Sequence, residues 1–285
     1  MICDIRNNDM DLNLLRVFIT VANKNSISLA ANELKCAQSN VTSRIKQLEK
    51  TLDLELFHRV PKGVILTSNG ERFYPKAIEI VKKMEDAIND ITKNDEVTHL
   101  KVGSTECNAS VRISPFLIKL HEDFPNMQLE LFTGTTKSIT ELILDYQVDI
   151  AFISGEPKSD KLMILKKIEE EIAILEPKTQ NVPNVTLTFK EGCVYDEFLK
   201  NYYKQKNIHI EKALSFGSLE TILSCIKVGM GKSLLPTSIV KSIGYENDIK
   251  VTVLPKDEAN IPTCLVCRKD SIPKIAQYLK DMKLS

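Results

Sequence analysis

Between Gln38 and Leu52, the apolar residues Val41, Ile45, Leu48 and Leu52 recur at intervals of four, three and four. That spacing gathers them on one face of an α-helix. Ser39, Ser43, Lys46 and Lys50 fall on the opposite face, with Gln38 at its start and Asn40, Thr42, Arg44 and Gln47 beside it. No carboxylate occurs before Glu49, whereas a solvated helix face normally mixes both charge signs. A face of hydroxyls, amides and cations suits phosphate oxygens and base edges.

The flanking residues complete a unit around this helix. Ser26 is a good N-cap for a short preceding helix with Leu29, Ala30, Ala31 and Leu34 at helical spacing. After it, Leu56–Val60 and Val64–Leu66 are short apolar runs around the turn signal Pro61-Lys62-Gly63, with Arg59 and Lys62 near the tip. Asp11 caps a first helix, whose Leu15, Phe18, Ile19 and Ala22 can pack beneath the other two. Three helices and a basic hairpin predict a winged helix-turn-helix, with the second helix of the motif in the major groove and the wing on neighbouring backbone. The expected DNA contacts are Gln38, Ser39, Asn40, Thr42, Ser43, Arg44, Lys46, Arg59 and Lys62.

These residues resemble a known family. Leu14-Leu15-Arg16-Val17-Phe18, Ser26…Ala30-Ala31…Leu34, Ala37-Gln38-Ser39-Asn40-Val41-Thr42, Gln47-Leu48-Glu49 and Leu56-Phe57-His58-Arg59…Leu66-Thr67…Gly70 are similar to the N-terminal signature of LysR-type transcriptional regulators. The similarity continues to the C-terminus in order and length. One departure stands at the start of the reading helix, where the family often has Ser-Gln-Pro-Ala-Val-Ser. Here Ala37 cannot cap, Ser39 replaces a proline, and Asn40 presents a base-reading amide. The family's usual operator preference is therefore not carried over.

Charge is informative only locally. The 285 residues hold 38 Lys plus Arg and 38 Asp plus Glu, so the whole chain is neutral. From Lys35 to Lys62, however, six cations face three anions. No apolar run follows the charged N-terminus and none is long enough to span a membrane. Seven scattered cysteines, an odd number, fit reduced thiols. A cytoplasmic protein is expected.

Residues 1–66 are thus read as the DNA-binding unit. Thr67 caps a long helix to about Thr92, which Pro75 is placed to bend. Its Tyr74/Val81/Ile88 and Ala77/Met84/Ile91 repeats form a short heptad seam, so residues 67–96 are expected to pair two chains. The resemblance implies antiparallel pairing, a homodimer and, beyond it, a homotetramer. Lys93-Asn94-Asp95-Glu96 is a polar break before residues 97–285. There strands and helices alternate, which predicts parallel sheets covered on both faces. The resemblance implies a two-lobed effector domain like a periplasmic binding protein. Crossings near 168–170 and 268–270 give lobe I about 97–168 and 269–285, and lobe II about 169–268.

Parallel sheets take ligands beyond the carboxyl ends of their strands. Small and hydroxyl residues recur there: Ser104 and Thr105, Thr133 and Thr135, Ser154, Gly192, and Ser218. Together they suggest a site for a small polar metabolite. Glu106 beside them would repel an anion or accept an ammonium group, so a ligand carrying both signs stays open.

Other motifs carry less. Gly229-Met230-Gly231-Lys232-Ser233 lacks the first glycine of a P-loop and follows a helix, so it reads as a helix end and turn. Cys264 and Cys267 stand three apart in a strand and point to opposite faces. No nucleophile–base pair, metal set or cofactor motif is legible, so no enzyme is expected. The leading function is a metabolite-responsive, DNA-binding transcriptional regulator. The alternatives are an α/β enzyme with a DNA-binding appendage, a ligand-free DNA-binding protein, or a thiol redox sensor using Cys193 or Cys225.

Overall fold

The computed structural model describes residues 11–91, 99–179 and 182–283. The expectations for residues 1–10, for a helix end near Thr92 and for the polar break at 93–96 lie outside the described residues. The chain divides into two compact units, residues 1–94 and 95–285.

The first unit holds α1 (Leu12–Lys24), α2 (Ile27–Glu33), α3 (Gln38–Leu52), β1 (Phe57–Val60), β2 (Gly63–Leu66) and α4 (Ser68–Ile91). Asp11 and Ser26 cap α1 and α2 as their positions predict, and Ala37 opens α3 with no side-chain bond. Val41, Ile45 and Leu48 are buried beneath α3, with Leu14, Phe18, Ala30 and Leu56 in the same core. The hairpin pairs Phe57 with Leu66 and Val60 with Gly63. At Gly63, where φ is +140°, a Cβ would lie 2.2 Å from the Asn25 carbonyl oxygen. Glycine there lets the wing close onto the α1–α2 turn, where Val64 N–H donates to that same oxygen at 3.0 Å.

Helix α4 runs unbroken through Pro75 and belongs to this core. Phe18 is fully buried, its ring 5.4 Å from Phe73 and 6.3 Å from Tyr74. Ala77 is 0% and Val81 9% exposed. This corrects the pairing seam expected at Tyr74, Ala77 and Val81: α4 has a partner within its own chain, α1, and spends those residues on it. Arg16 reinforces the contact with a 3.0 Å ion pair to Glu85.

The second unit contains two α/β lobes. Lobe I is built on β3 (His99–Thr105), β4 (Gln128–Gly134), β5 (Ile150–Ser154), β6 (Leu162–Ile168) and β12 (Thr263–Arg268), ordered β4-β3-β5-β12-β6. Lobe II holds the antiparallel sheet β10-β7-β11, from β7 (Ile172–Glu176), β10 (Ser233–Pro236) and β11 (Lys250–Val253), and the parallel pair of β8 (Val185–Thr188) and β9 (Lys212–Ser215).

Two expectations need correction. The sheets are mixed: β4, β3 and β5 are parallel, but β12 is antiparallel to both its neighbours. A chain that crosses out along β6 and returns along β12 must run in opposite directions there. The second crossing also lies earlier than 268–270, between Val253 and Thr263, because β12 pairs within lobe I. The apolar strand itself carries no sign of which sheet it joins.

The helices are α5 (Glu106–Asn108), α6 (Ser114–Asp123), α7 (Thr136–Leu144), α8 (Val194–Gln205), α9 (Leu219–Lys227), α10 (Thr237–Ile243) and α11 (Ala276–Asp281). The sequence pattern predicts a single helix from the first strand to Phe124. Instead a π-helical turn, Ala109–Ile113, joins α5 to α6. The sequence pattern predicts a closing helix over 272–282; it is shorter, starting after Pro273 accepts the first N–H, from Ala276. Cys264 and Cys267 are both 0% exposed and enter separate cores on the two faces of β12, as their spacing predicts. Gly229 ends α9 at φ +87°, a turn rather than a phosphate loop.

Candidate functional site

In the winged unit the outward face of α3 is formed as its spacing predicts. Gln38, Ser39, Asn40, Ser43 and Lys46 are exposed, and Thr42 and Arg44 are half-buried at its margins. Arg44 Nε donates to Asn40 Oδ1 at 2.8 Å, so these two residues act as a pair. Glu49, the first carboxylate on the helix, accepts from the backbone N–H of Leu56 at 2.8 Å and of Phe57 at 3.3 Å. It fixes the wing to α3 and is drawn away from the reading face. Arg59 and Lys62 are exposed on the hairpin. Between helix and wing lies a cleft of about 300 Å³, with Thr42, Lys46, His58 and Arg59 in its walls. On α4, Ile80, Met84 and Ile88 are 46%, 49% and 45% exposed, while the side chain of Ile91 lies outside the described residues. Of the expected seam, Met84 and Ile88 are therefore the exposed members, joined by Ile80.

In the second unit, Thr105, Thr135 and Ser154 converge on one crevice with Glu106, Cys193 and Tyr195. Thr105 Oγ1 and Ser154 Oγ are 3.3 Å apart. Thr135 caps α7 reciprocally with Ser138, accepting its N–H at 3.3 Å while its own N–H donates to Ser138 Oγ at 3.0 Å. Gly192 closes one side: a Cβ there would lie 2.7 Å from Lys137 Cβ and 3.0 Å from Thr135 Oγ1, and φ is +85°. Three expected residues lie elsewhere. Ser104 is 0% exposed behind the crevice and donates to the Thr105 carbonyl. Thr133 is exposed on edge strand β4, and Ser218 caps α9. Each sits at a strand end or helix start, which is why sequence position alone selects them.

The crevice is narrow, with a free volume of about 10 Å³, room for roughly one water. Small-molecule sites are on the order of 300–1,000 Å³, so the crevice as it stands is too small for a metabolite. Burial pushes the Cys107 thiol well up, with the neighbouring Cys193 thiol adding to it, and burial also raises Cys193. Thiolate activation requires the opposite shift, which counts against a redox sensor at Cys193. Tyr195 is likewise pushed well up by burial. Cys225 lies on α9, half-buried, away from the crevice lining.

Sequence reasoning misses a buried polar cluster beside the crevice. Arg112 Nη2 pairs with Glu170 Oε1 at 2.7 Å, with side chains 7% and 3% exposed. Asn108, Thr263 and Ser238 complete it. One signal is present in the sequence: Asn108 and Arg112 stand four apart and share a helix face.

Comparison with known proteins agrees with this architecture. The family model described as "Bacterial regulatory helix-turn-helix protein, lysR family" matches residues 12–71, and the "LysR substrate binding domain" matches residues 93–282. The transcriptional regulator GltR of Bacillus subtilis is 32% identical over 285 residues, covering 96% of each chain. The regulator YofA of Bacillus velezensis is 32% identical over 262 residues, covering 90% of this chain and 91% of its own. Among solved structures, a full-length point variant of OxyR from Pseudomonas aeruginosa aligns with TM-score 0.75 at 21% identity, covering 95% of this chain and 93% of its own. CbnR complexed with its target DNA aligns with TM-score 0.61 at 20% identity, covering 95% of this chain and 98% of its own. At such identities the likeness is one of fold. Among the described residues no helix is long and apolar enough to cross a membrane. With both family models matched in order and relatives covered nearly end to end, the chain belongs to the LysR family of transcriptional regulators.

Proposed function

We propose that this regulator reads its operator with Gln38, Ser39, Asn40, Thr42, Ser43, Arg44 and Lys46 on α3, and holds adjacent backbone with Arg59 and Lys62 on the wing. The observation that carries this reading is the outward face of α3: it is exposed, rich in donors, and its nearest carboxylate is occupied by the wing backbone. Because Arg44 already occupies one lone pair of the Asn40 oxygen, the two read together, and their substitutions should not add. Exposed Ile80, Met84 and Ile88 are the surface through which two chains pair, and a tetramer is the further assembly the family suggests.

The effector is a small polar molecule held between the lobes by Thr105, Thr135 and Ser154, with Glu106 at its side. It acts by favouring the open arrangement of the lobes, and it shifts the equilibrium only by its differential affinity for the two arrangements. The protein works by binding rather than catalysis, and does so in the cytoplasm beside the chromosome. Footprinting on the protein's own operator tests both halves. Alanine at Asn40 or Lys46 should shift protection to higher protein concentration with the fold intact, and valine at Thr105 should leave protection but remove its response to effector. Protection at unchanged protein concentration in both alanine variants would overturn the DNA reading.

A further inference from the structure

We propose that Asn108 and Arg112 are positioning residues for the crevice, the central links of a buried, directional hydrogen-bond chain that ties it to both crossings between the lobes. The proposal rests on the reading of that crevice as the effector site.

The direction of the chain follows from elementary chemistry. A guanidinium only donates, so the Asn108 atom 3.2 Å from Arg112 Nη1 is the amide oxygen. The amide nitrogen of Asn108 is then turned to Thr105 Oγ1, to which it donates at 2.8 Å. With that lone pair taken, the single Thr105 proton is free to point at Ser154 Oγ, 3.3 Å away. Tyr195, on α8 of lobe II, lines the same crevice as Ser154. A charge in the hinge thus orients the Asn108 amide, which occupies one lone pair of Thr105 and leaves its proton free to turn to Ser154.

The other end of the chain is anchored where the lobes are joined. Glu170, between β6 and β7, accepts from Arg112 at 2.7 Å and from Ser238 of α10 at 3.2 Å. Thr263, the first residue of β12 after the return crossing, lies 2.8 Å from Glu170 Oε1 and 2.9 Å from Asn108 Oδ1. It has one proton for two acceptors, so rotating one hydroxyl converts one arrangement into another. The π-helical turn Ala109–Ile113 brings Arg112 into this place, and π turns recur at functional positions. Arg112 is 6% exposed, and its Nε has no partner among the described residues. Such a group is held by its surroundings rather than by solvent.

Cysteine labelling of the full chain reads the consequence without a known effector. Cys193 lines the crevice and Cys267 lies in the lobe I core, 0% exposed. Cys193 is the reporter because the Glu170 charge bears on Cys107. N-ethylmaleimide modification is followed by mass spectrometry for the wild type, Asn108→Ala, Glu170→Gln and Thr105→Val. The chain predicts that Asn108→Ala and Thr105→Val raise the Cys193 rate by about tenfold, the factor for loss of one hydrogen bond of ordinary strength. The Cys267 rate stays unchanged. Glu170→Gln, which keeps an acceptor oxygen, gives a smaller rise. An unchanged Cys193 rate in Asn108→Ala overturns the proposal, as does a parallel rise at Cys193 and Cys267, which marks general unfolding. Failure of the effector reading shows separately, as a DNA response to effector that survives Thr105→Val.

Discussion

Replacing Glu170 with alanine removes the carboxylate that receives Arg112 at 2.7 Å, Thr263 at 2.8 Å and Ser238 at 3.2 Å. Arg112 and Glu170 side chains are 7% and 3% exposed, so water neither screens the pair nor rehydrates the abandoned guanidinium. Stranding one charge of a buried pair costs about 3–5 kcal/mol. For a domain of this size each kcal/mol lowers Tm by roughly 2–4 °C, so the expected fall is roughly 6–20 °C. Differential scanning calorimetry of the full chain measures it, with Val41→Ala marking the transition of the winged unit. Replacing both partners, as Arg112→Met with Glu170→Met, should recover much of the loss, since a hydrophobic pair needs no compensating charge. A Glu170→Ala transition within about 2 °C of wild type would refute the reasoning, because it would mean the pair is solvated or redundant.

Met84→Lys with Ile88→Lys should lower the mass seen by light scattering while leaving the winged fold intact, whereas Ala77→Lys should unfold that unit; an unchanged mass in the double variant would count against the exposed stripe. Ser218→Ala should cost about 1 kcal/mol, the value of a helix cap, and leave the effector response whole; lost response would return Ser218 to the site. Asp270 is held down to about 2 by hydrogen bonds from Arg268, so its contribution is complete above the usual carboxylate range and disappears as pH falls through about 2. Asp270→Asn should therefore flatten the loss of stability between about pH 4 and 2, modestly because the carboxylate is 42% exposed, and identical acid unfolding curves would contradict this.

The winged unit is legible almost residue by residue because local rules govern it. Caps, a 3.6-residue period and a glycine turn each act within a few residues, and the α3 boundaries fall where Ala37 and Asp53 stand. Helix α4 shows where that reading stops. A heptad seam and an amphipathic stripe share the same spacing, and only the tertiary partner α1 decides that Ala77 and Val81 face inward. The effector domain shows the same limit. The strand run 263–268 is plain, but its apolar pattern would be the same in either lobe, so sequence alone sets the second crossing too late. Thr105, Thr135 and Ser154 are found because strand ends gather at one edge, yet the rule also draws in Thr133 and Ser218. Arg112 and Glu170, far apart in sequence, leave no local trace of their pairing.

The central claim is that the exposed face of α3 reads DNA, and it is tested most directly by titrating operator and scrambled duplexes over a range of salt. Lys46→Ala should weaken binding to both about equally and lower the salt slope by about one unit, as loss of a phosphate contact requires. Asn40→Ala should cost roughly 1–3 kcal/mol on the operator and little on the scrambled duplex. Unchanged affinity and slope in both variants would contradict the account.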